Sequence, residues 1–385
     1  MYRITWTIKA SKLCNLRCRY CYEWEELDKP DRIALADWAK VFKAIKSHNA
    51  LQSQRLGVDA RAEIVWHGGE PLLLPSRYMR EVLALQQEIL GRDTLGRGTF
   101  ANAVQTNLYA LTDEKLELLK EGGFKVGVSM DLAGGVRLSA GGRQTEDRVA
   151  ANMDRLAEAG IPFGAIVVLA AHTAKHLRTI YDFMEHLNVS FRVLPLFPSP
   201  LNTPEAAFAI SSEEMVAALN DLFLYWLERD FSVSVAPLKH YLQTALLHIN
   251  GLESTPWRRR EHGDGVLIVN TNGDLYQVLD AYEPELSLGN LFRQPIEEIL
   301  TSPPYAASLD RNDAIEAAHC DACPFARSCN HGPVFESRLA NRTGGHCAVA
   351  HPVQDFIAAH LRHIGFDESA FGALETRENA ALDVA

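Results

Sequence analysis

Three cysteines crowd one short stretch, Cys14-x-x-x-Cys18-x-x-Cys21, and four more fall far downstream at Cys320, Cys323, Cys329 and Cys347. None lies between residues 22 and 319. Seven is an odd count, which disfavours a disulfide framework. Three thiolates on one loop can hold three irons of a 4Fe–4S cluster, leaving the fourth iron open to the amine and carboxylate of a small molecule. Four thiolates can close a site completely, as a cluster or as a four-cysteine zinc site. Three plus four is the split expected of one open, reactive metal centre and one closed one.

The elements that must position these residues are legible as a pattern. ITWTIK at residues 4–9 alternates and leads straight into the first cysteine loop, so it reads as a strand. A helix around Ala36–Ser47, the apolar strand Glu63–Trp66 and a helix after Pro75 follow. Further strand–helix pairs come at Phe100–Gln105 with Asp113–Lys120, Lys125–Met130 with Glu146–Ala159, and Phe163–Leu169 with Ala174–Leu187. Ser190–Leu194 supplies the sixth strand. Such alternation implies an α/β fold, a partial (β/α)6 barrel with its chemistry at the C-terminal ends of the strands.

Leu194–Pro204, rich in proline, marks a boundary, and a helix near Glu213–Arg229 bridges onward. Val266–Asn270 and Leu275–Leu279 flank Thr271-Asn272-Gly273-Asp274, a hairpin signal. A cysteine-rich loop spans 320–347, and a helix near Val353–Ile364 precedes a polar tail. The expected domains are a barrel at 1–200, a bridge at 201–262, an auxiliary-cluster domain at 263–350, and a C-terminal helix and tail at 351–385.

CNLRCRYCY resembles the cluster-binding motif of the radical S-adenosylmethionine (SAM) superfamily. At the end of the second strand stands Trp66-His67-Gly68-Gly69-Glu70-Pro71, similar to the segment that contacts the methionine amine of SAM in that family. Glycines permit close backbone approach to a ligand, and Glu70 can accept from an ammonium group. His67 reads as a packing or hydrogen-bonding residue. The resemblance extends the SAM-binding set to Tyr22, Gln105 and Asn107, to Ser129 and Asp131, and to Arg137 for the SAM carboxylate, with Arg143 as runner-up. It implies reductive cleavage of SAM to methionine and a 5′-deoxyadenosyl radical that takes hydrogen from a substrate.

Cys320-x-x-Cys323-x5-Cys329 with Cys347 resembles the C-terminal SPASM domain of peptide-modifying radical SAM enzymes. The resemblance implies a second, auxiliary 4Fe–4S cluster on these four cysteines. A full SPASM domain carries two auxiliary clusters. Here Val278 and Pro333 stand where two of the further cysteines usually fall, so the inner cluster is expected to be absent. Anaerobic sulfatase maturases place an aspartate base directly after that hairpin cysteine. This chain has Leu279 there, with Asp280 one place along as the candidate base.

The segment Tyr282–Phe292 and the stretch Met130-Asp131-Leu132 look like maturases of ribosomally made peptides, including those that form cyclophanes. The reading is a peptide maturase that closes a side-chain cross-link in a precursor peptide with a leader. Alternatives are a peptide epimerase, a sulfatase-maturase-like oxidase and a small-molecule dehydrogenase. A flavodoxin or ferredoxin would supply electrons.

A net charge of −11 argues against wholesale nucleic-acid binding, and the basic run Arg258-Arg259-Arg260 reads as a solvated loop. The longest apolar stretch, Phe163 to Ala171, is too short to cross a bilayer, and no secretory signal is present, so a cytoplasmic setting is expected. With the first cluster cysteine at residue 14, no leader-recognition domain is expected ahead of the barrel.

Overall fold

The computed structural model describes residues 2–91, 99–132, 135–196, 207–256, 260, 265–277, 283–336 and 345–365. Six strand–helix units come first. They are β1 (Tyr2–Ser11) with α1 (Leu35–Leu56), β3 (Ala60–Gly68) with α2 (Ser76–Leu90), and β4 (Phe100–Thr106) with α3 (Asp113–Glu121). Then come β5 (Lys125–Ser129) with α4 (Glu146–Glu158), β7 (Phe163–Leu169) with α5 (Leu177–His186), and β8 (Phe191–Pro195) with α6 (Ser212–Glu228). Two short strands, β2 (Leu16–Cys18) and β6 (Arg137–Ser139), pair with each other in the loops above the barrel.

In the main sheet β1, β3, β4, β5, β7 and β8 lie side by side and parallel, the partial barrel that the alternation implies. Its period-two pattern sorts the side chains. Ile4, Trp6, Ile8, Ile64 and Trp66 are fully buried beneath α1, where Trp38 stacks on Trp66 at 4.9 Å and on Phe42 at 5.2 Å. The opposite face carries Lys9 and His67, paired across β1 and β3, and continues through Gln105 and Ser129. The inner face is therefore polar at the C-terminal ends of the strands.

Local chemistry sets the helix ends. Thr112 caps α3 by accepting from the Lys115 N–H, and Ser211 and Glu214 form a reciprocal capping box on α6. Gly57 ends α1 in the left-handed region at φ +65°.

The sheet runs across the expected domain boundaries. β9 (Val235–Ala236), from the bridging segment, extends it beyond β8, ahead of α7 (Leu238–Ile249). At the other edge the hairpin β10 (Val266–Val269) and β11 (Asp274–Gln277) adds to β1, with β10 parallel to it, and β12 (Gly289–Asn290) closes the row. Thr271 in the hairpin turn donates to the Lys9 carbonyl at 2.9 Å. The described hairpin ends at Gln277, so Val278, Leu279 and Asp280 lie outside the described residues.

Beyond the sheet come α8 (Ile296–Ile299), α9 (Pro303–Cys320), α10 (Gly332–Glu336) and α11 (Ala350–His363), the last packed on α7 and α6. Arg192 of β8 pairs with Glu336 of α10, tying the barrel to the cysteine-rich region.

Candidate active site

The first cysteine loop is seated on the glycine pair. The N–H groups of Gly69 and Glu70 donate to the carbonyls of Ser11 and Leu13 at 2.8 and 2.9 Å. A Cβ on Gly68 would meet the Ser11 oxygen at 2.1 Å, and one on Gly69 would meet the Lys12 oxygen at 2.2 Å. A close approach that requires glycine is thus made by the chain's own cysteine loop.

Glu70 also turns inward. Its carboxylate, 1% exposed, accepts from the Leu72 N–H at 2.9 Å, the Thr106 hydroxyl at 2.7 Å and the Asn107 N–H at 2.7 Å. Burial raises its pKa, against the pull of these three donors. The carboxylate clamps the end of β4 to the end of β3. Asn107, fixed in this way, donates through Nδ2 to Asn15 at 2.9 Å and lies 3.7 Å from the Cys14 sulfur.

Cys18 stands opposite Arg137 in the β2–β6 ladder, and the Arg19 N–H donates to the Val136 carbonyl at 3.0 Å. Arg137 donates to the Tyr20 hydroxyl at 2.7 Å and lies 3.9 Å from Asp131. Tyr20 in turn donates to Asp131, which also accepts from the Val168 N–H at 2.9 Å. All three side chains are buried. Burial opposes the charge of Arg137, but Cys18, Tyr20 and Asp131 hold it well above its ordinary pKa. Arg143 is exposed, so the geometry favours Arg137 for an anion beside the cluster loop.

Gln105 and Ser129 join across the inner face, Nε2 donating to the hydroxyl at 2.7 Å, and the Gln105 side chain lies over the bare face of Gly127. Tyr22 is half-buried with the Lys9 ammonium 5.6 Å from its ring centre. Lys9 makes a buried ion pair with Glu23 at 2.6 Å. Burial holds His67 near a pKa of about 4, consistent with a neutral packing residue.

Sequence reasoning missed Tyr20, one place before the third cysteine. It links the cysteine loop to Asp131 and Arg137 and stacks on His172 at 5.8 Å. Its place inside the cysteine motif was the available signal.

Burial, together with Glu70, pushes the Cys14 thiol up to about 12. Burial and the neighbouring Cys18 push Cys21 to about 12. Cys18 is raised by burial and lowered by Arg137. Such thiols bind as thiolates only when a strong positive centre compensates them.

In the second set, Cys320 ends α9, Cys323 and Cys329 lie in the following turn, and Cys347 precedes α11. Burial raises all four; Cys320 is raised next by Cys347 and Glu316 and then by Cys329 and Cys323, while Cys347, raised next by Cys329 and Cys323, reaches about 12. Zinc–sulfur bonds of about 2.3 Å would set tetrahedral sulfurs about 3.8 Å apart. Among the described residues no three of the seven sulfurs come within 4.8 Å of one another. Among the described residues neither set is therefore gathered as closely as a four-sulfur zinc ion requires. Cys14, Cys18 and Cys21 would hold one cluster, and Cys320, Cys323, Cys329 and Cys347 the other. Pro333 lies in α10 and offers no ligand.

Comparisons with known proteins agree with this geometry. Residues 8–184 match the family model of the Radical SAM superfamily, and residues 261–324 match SPASM, an iron–sulfur cluster-binding domain. A serine-type anaerobic sulfatase-maturating enzyme of Bacteroides thetaiotaomicron is 23% identical over 360 residues, covering 86% of this chain and 82% of that one. A cysteine-type enzyme of Clostridium novyi is 23% identical over 337 residues, covering 83% and 85%. Among solved structures, anSMEcpe with bound AdoMet and the Kp18Cys peptide superposes with a TM-score of 0.73 at 19% identity, covering 94% of this chain and 98% of that one. Streptococcus suis SuiB bound to its precursor peptide SuiA superposes with a TM-score of 0.61 at 15% identity, covering 91% and 76%. Among the described residues no helix is long and apolar enough to cross a membrane. The chain belongs to the radical SAM enzymes, with a SPASM domain behind its barrel and with 4Fe–4S clusters and S-adenosylmethionine as cofactors.

Proposed function

We propose that this enzyme is a peptide maturase that closes a cross-link between side chains of a ribosomally made precursor peptide, of the cyclophane type. With SAM bound to a reduced 4Fe–4S cluster, the cofactor supplies a radical that takes a hydrogen atom from the substrate. Cys14, Cys18 and Cys21 would hold that cluster. Arg137, oriented by Tyr20 and Asp131, would meet the SAM carboxylate, and Asn107, Gln105 and Ser129 would line the site with Tyr22 and the glycine pair.

The observation that carries the reading is the disposition of the thiols. All seven cysteines are free, and they gather in two sets. With those sets given to clusters, no cysteine is left to return a hydrogen atom to the substrate, as epimerisation demands. Net oxidation remains, with the auxiliary cluster available to take the second electron. Asp280 is the proposed base, a flavodoxin or ferredoxin the proposed electron donor, and a reducing cytoplasm the proposed setting. The likeness to sulfatase-maturating enzymes along most of both chains supports a second reading, oxidation of a side chain to an aldehyde.

Mass spectrometry separates these readings. The enzyme, SAM and a reductant are incubated with the short peptide encoded beside its gene. A product lighter by two hydrogens that resists hydrazide trapping is the expected cross-link. A hydrazide-reactive product supports the aldehyde reading, and inverted stereochemistry at unchanged mass would overturn net oxidation.

A further inference from the structure

The auxiliary cysteine set has a neighbour that cluster binding leaves unexplained. Cys323, His346 and His351 each present a ligand atom, and these atoms all lie within 4.8 Å of one another. The two imidazoles stack at 4.5 Å with 20° between their planes. On His351, Nδ1 faces Asp355 Oδ2 at 3.6 Å, while Nε2 is buried without a hydrogen-bond partner. A carboxylate beside Nδ1 favours the tautomer that carries its proton there, which leaves the Nε2 lone pair free to coordinate.

The structure assigns Cys323, His346 and His351 to a mononuclear site for a divalent metal of the Zn²⁺ type, with Asp355 orienting His351. One thiolate and two imidazoles are a zinc donor set with one position left for water. Zinc bonds of about 2.0–2.3 Å would draw the three atoms together by about 1 Å. Three of the four proposed auxiliary ligands are not involved, but Cys323 is shared. The site and the auxiliary cluster are therefore alternative occupants of Cys323, and zinc holds this corner when iron is scarce. The sharing rests on the proposed four-cysteine auxiliary cluster; the zinc site itself does not.

The test uses the full-length chain produced in iron-limited, zinc-supplied cells and purified anaerobically. It should carry one zinc per chain, with one sulfur and two imidazole nitrogens in the first shell by X-ray absorption at the zinc edge. Zinc should be lost in His351→Ala and in His346→Ala. His346 is exposed, so its truncation leaves the fold intact, which circular dichroism checks. Asp355→Asn should weaken zinc binding about tenfold. Loading with iron and sulfide should then expel the zinc. Absence of zinc, zinc with four sulfurs, or zinc that survives both histidine variants would overturn the site. Zinc retained on its histidines beside two complete clusters would overturn the sharing of Cys323. An iron count that stops at about four after loading would instead remove the auxiliary-cluster reading.

Discussion

Arg137 stands directly across from Cys18 in a two-stranded ladder, and its guanidinium reaches the Tyr20 hydroxyl at 2.7 Å. One backbone pairing thus places a buried cation against the cysteine loop, and one tyrosine holds its direction. The arrangement separates two effects. Removing the cation strands Asp131 as an uncompensated buried charge, while the cysteines stay in place. Arg137→Gln should therefore destabilise the fold by about 3–5 kcal/mol. It should weaken SAM binding while keeping iron at the first cluster. Denaturant unfolding and equilibrium dialysis of labelled SAM measure the two, and unchanged SAM affinity would remove Arg137 from the cofactor site.

Gly69→Ala tests the seat of the loop. Its Cβ would press on the carbonyls of Lys12 and Leu13, which are backbone and cannot rotate away. Overpacking of this kind costs about 1–3 kcal/mol. The expected result is loss of the first cluster alone, with iron after reconstitution falling from about eight to about four. Retention of all the iron would show that the loop can shift without losing its ligand geometry.

Glu70→Gln keeps the shape of the side chain but replaces one acceptor oxygen by a donor. Two of its three donors are backbone N–H groups, so the amide must face one of them. Hydrogen bonds to a charged group contribute about 1.5–3 kcal/mol each, and a loss of that order is expected. If Glu70 served chiefly as a ligand for SAM, stability would be unchanged and SAM affinity alone would fall.

Stability should also decline in mild acid for a reason unrelated to the clusters. His48 is 3% exposed, stands edge-on to Trp6, and is held by burial near a pKa of about 4, below its ordinary 6.5. A histidine lowered in the fold contributes stability that is complete above 6.5 and is lost as pH falls toward 4, because the unfolded chain takes the proton first. The loss amounts to about 3 kcal/mol. His48→Leu should flatten the unfolding free energy between pH 6.5 and 4, and an unaltered slope would place the acid sensitivity elsewhere.

Cys320→Ala asks what the auxiliary cluster does. SAM cleavage should persist, since the first cysteine loop is untouched, while the oxidised peptide product falls. Product formed at the normal rate would make the second cluster a staple and not an electron acceptor.

The barrel was legible because alternating or apolar strand segments recur between helical ones, and Thr112 and Ser211 cap two of those helices. The cysteine spacing announced two sets of thiols, and Arg137 was preferred over Arg143 on register. What escaped depends on contacts between distant segments. Nothing local to Gly68 and Gly69 reveals that Ser11–Leu13 lies on them. β9 is too short to show a period, and its place at the edge of β8 is a tertiary fact. The helix Pro303–Cys320 has no single apolar stripe, since it buries Ser308 and Asn312 against the amide of Gln277. The tail of the hairpin, with Val278, Leu279 and Asp280, lies outside the described residues.

The parallel pairing of β10 with β1 also bears on how the protein is made. Tyr2–Ser11 leaves the ribosome before Val266–Val269, so one side of this strand gains its hydrogen-bonding partner only when that later segment has been synthesised. Throughout that interval the strand that carries the first cysteine loop presents an open edge, the kind of surface on which nascent chains pair with the wrong neighbour. Slow translation, scarce chaperones or truncation before the hairpin should therefore yield inclusion bodies, and iron insertion at the first loop should follow completion of the whole sheet.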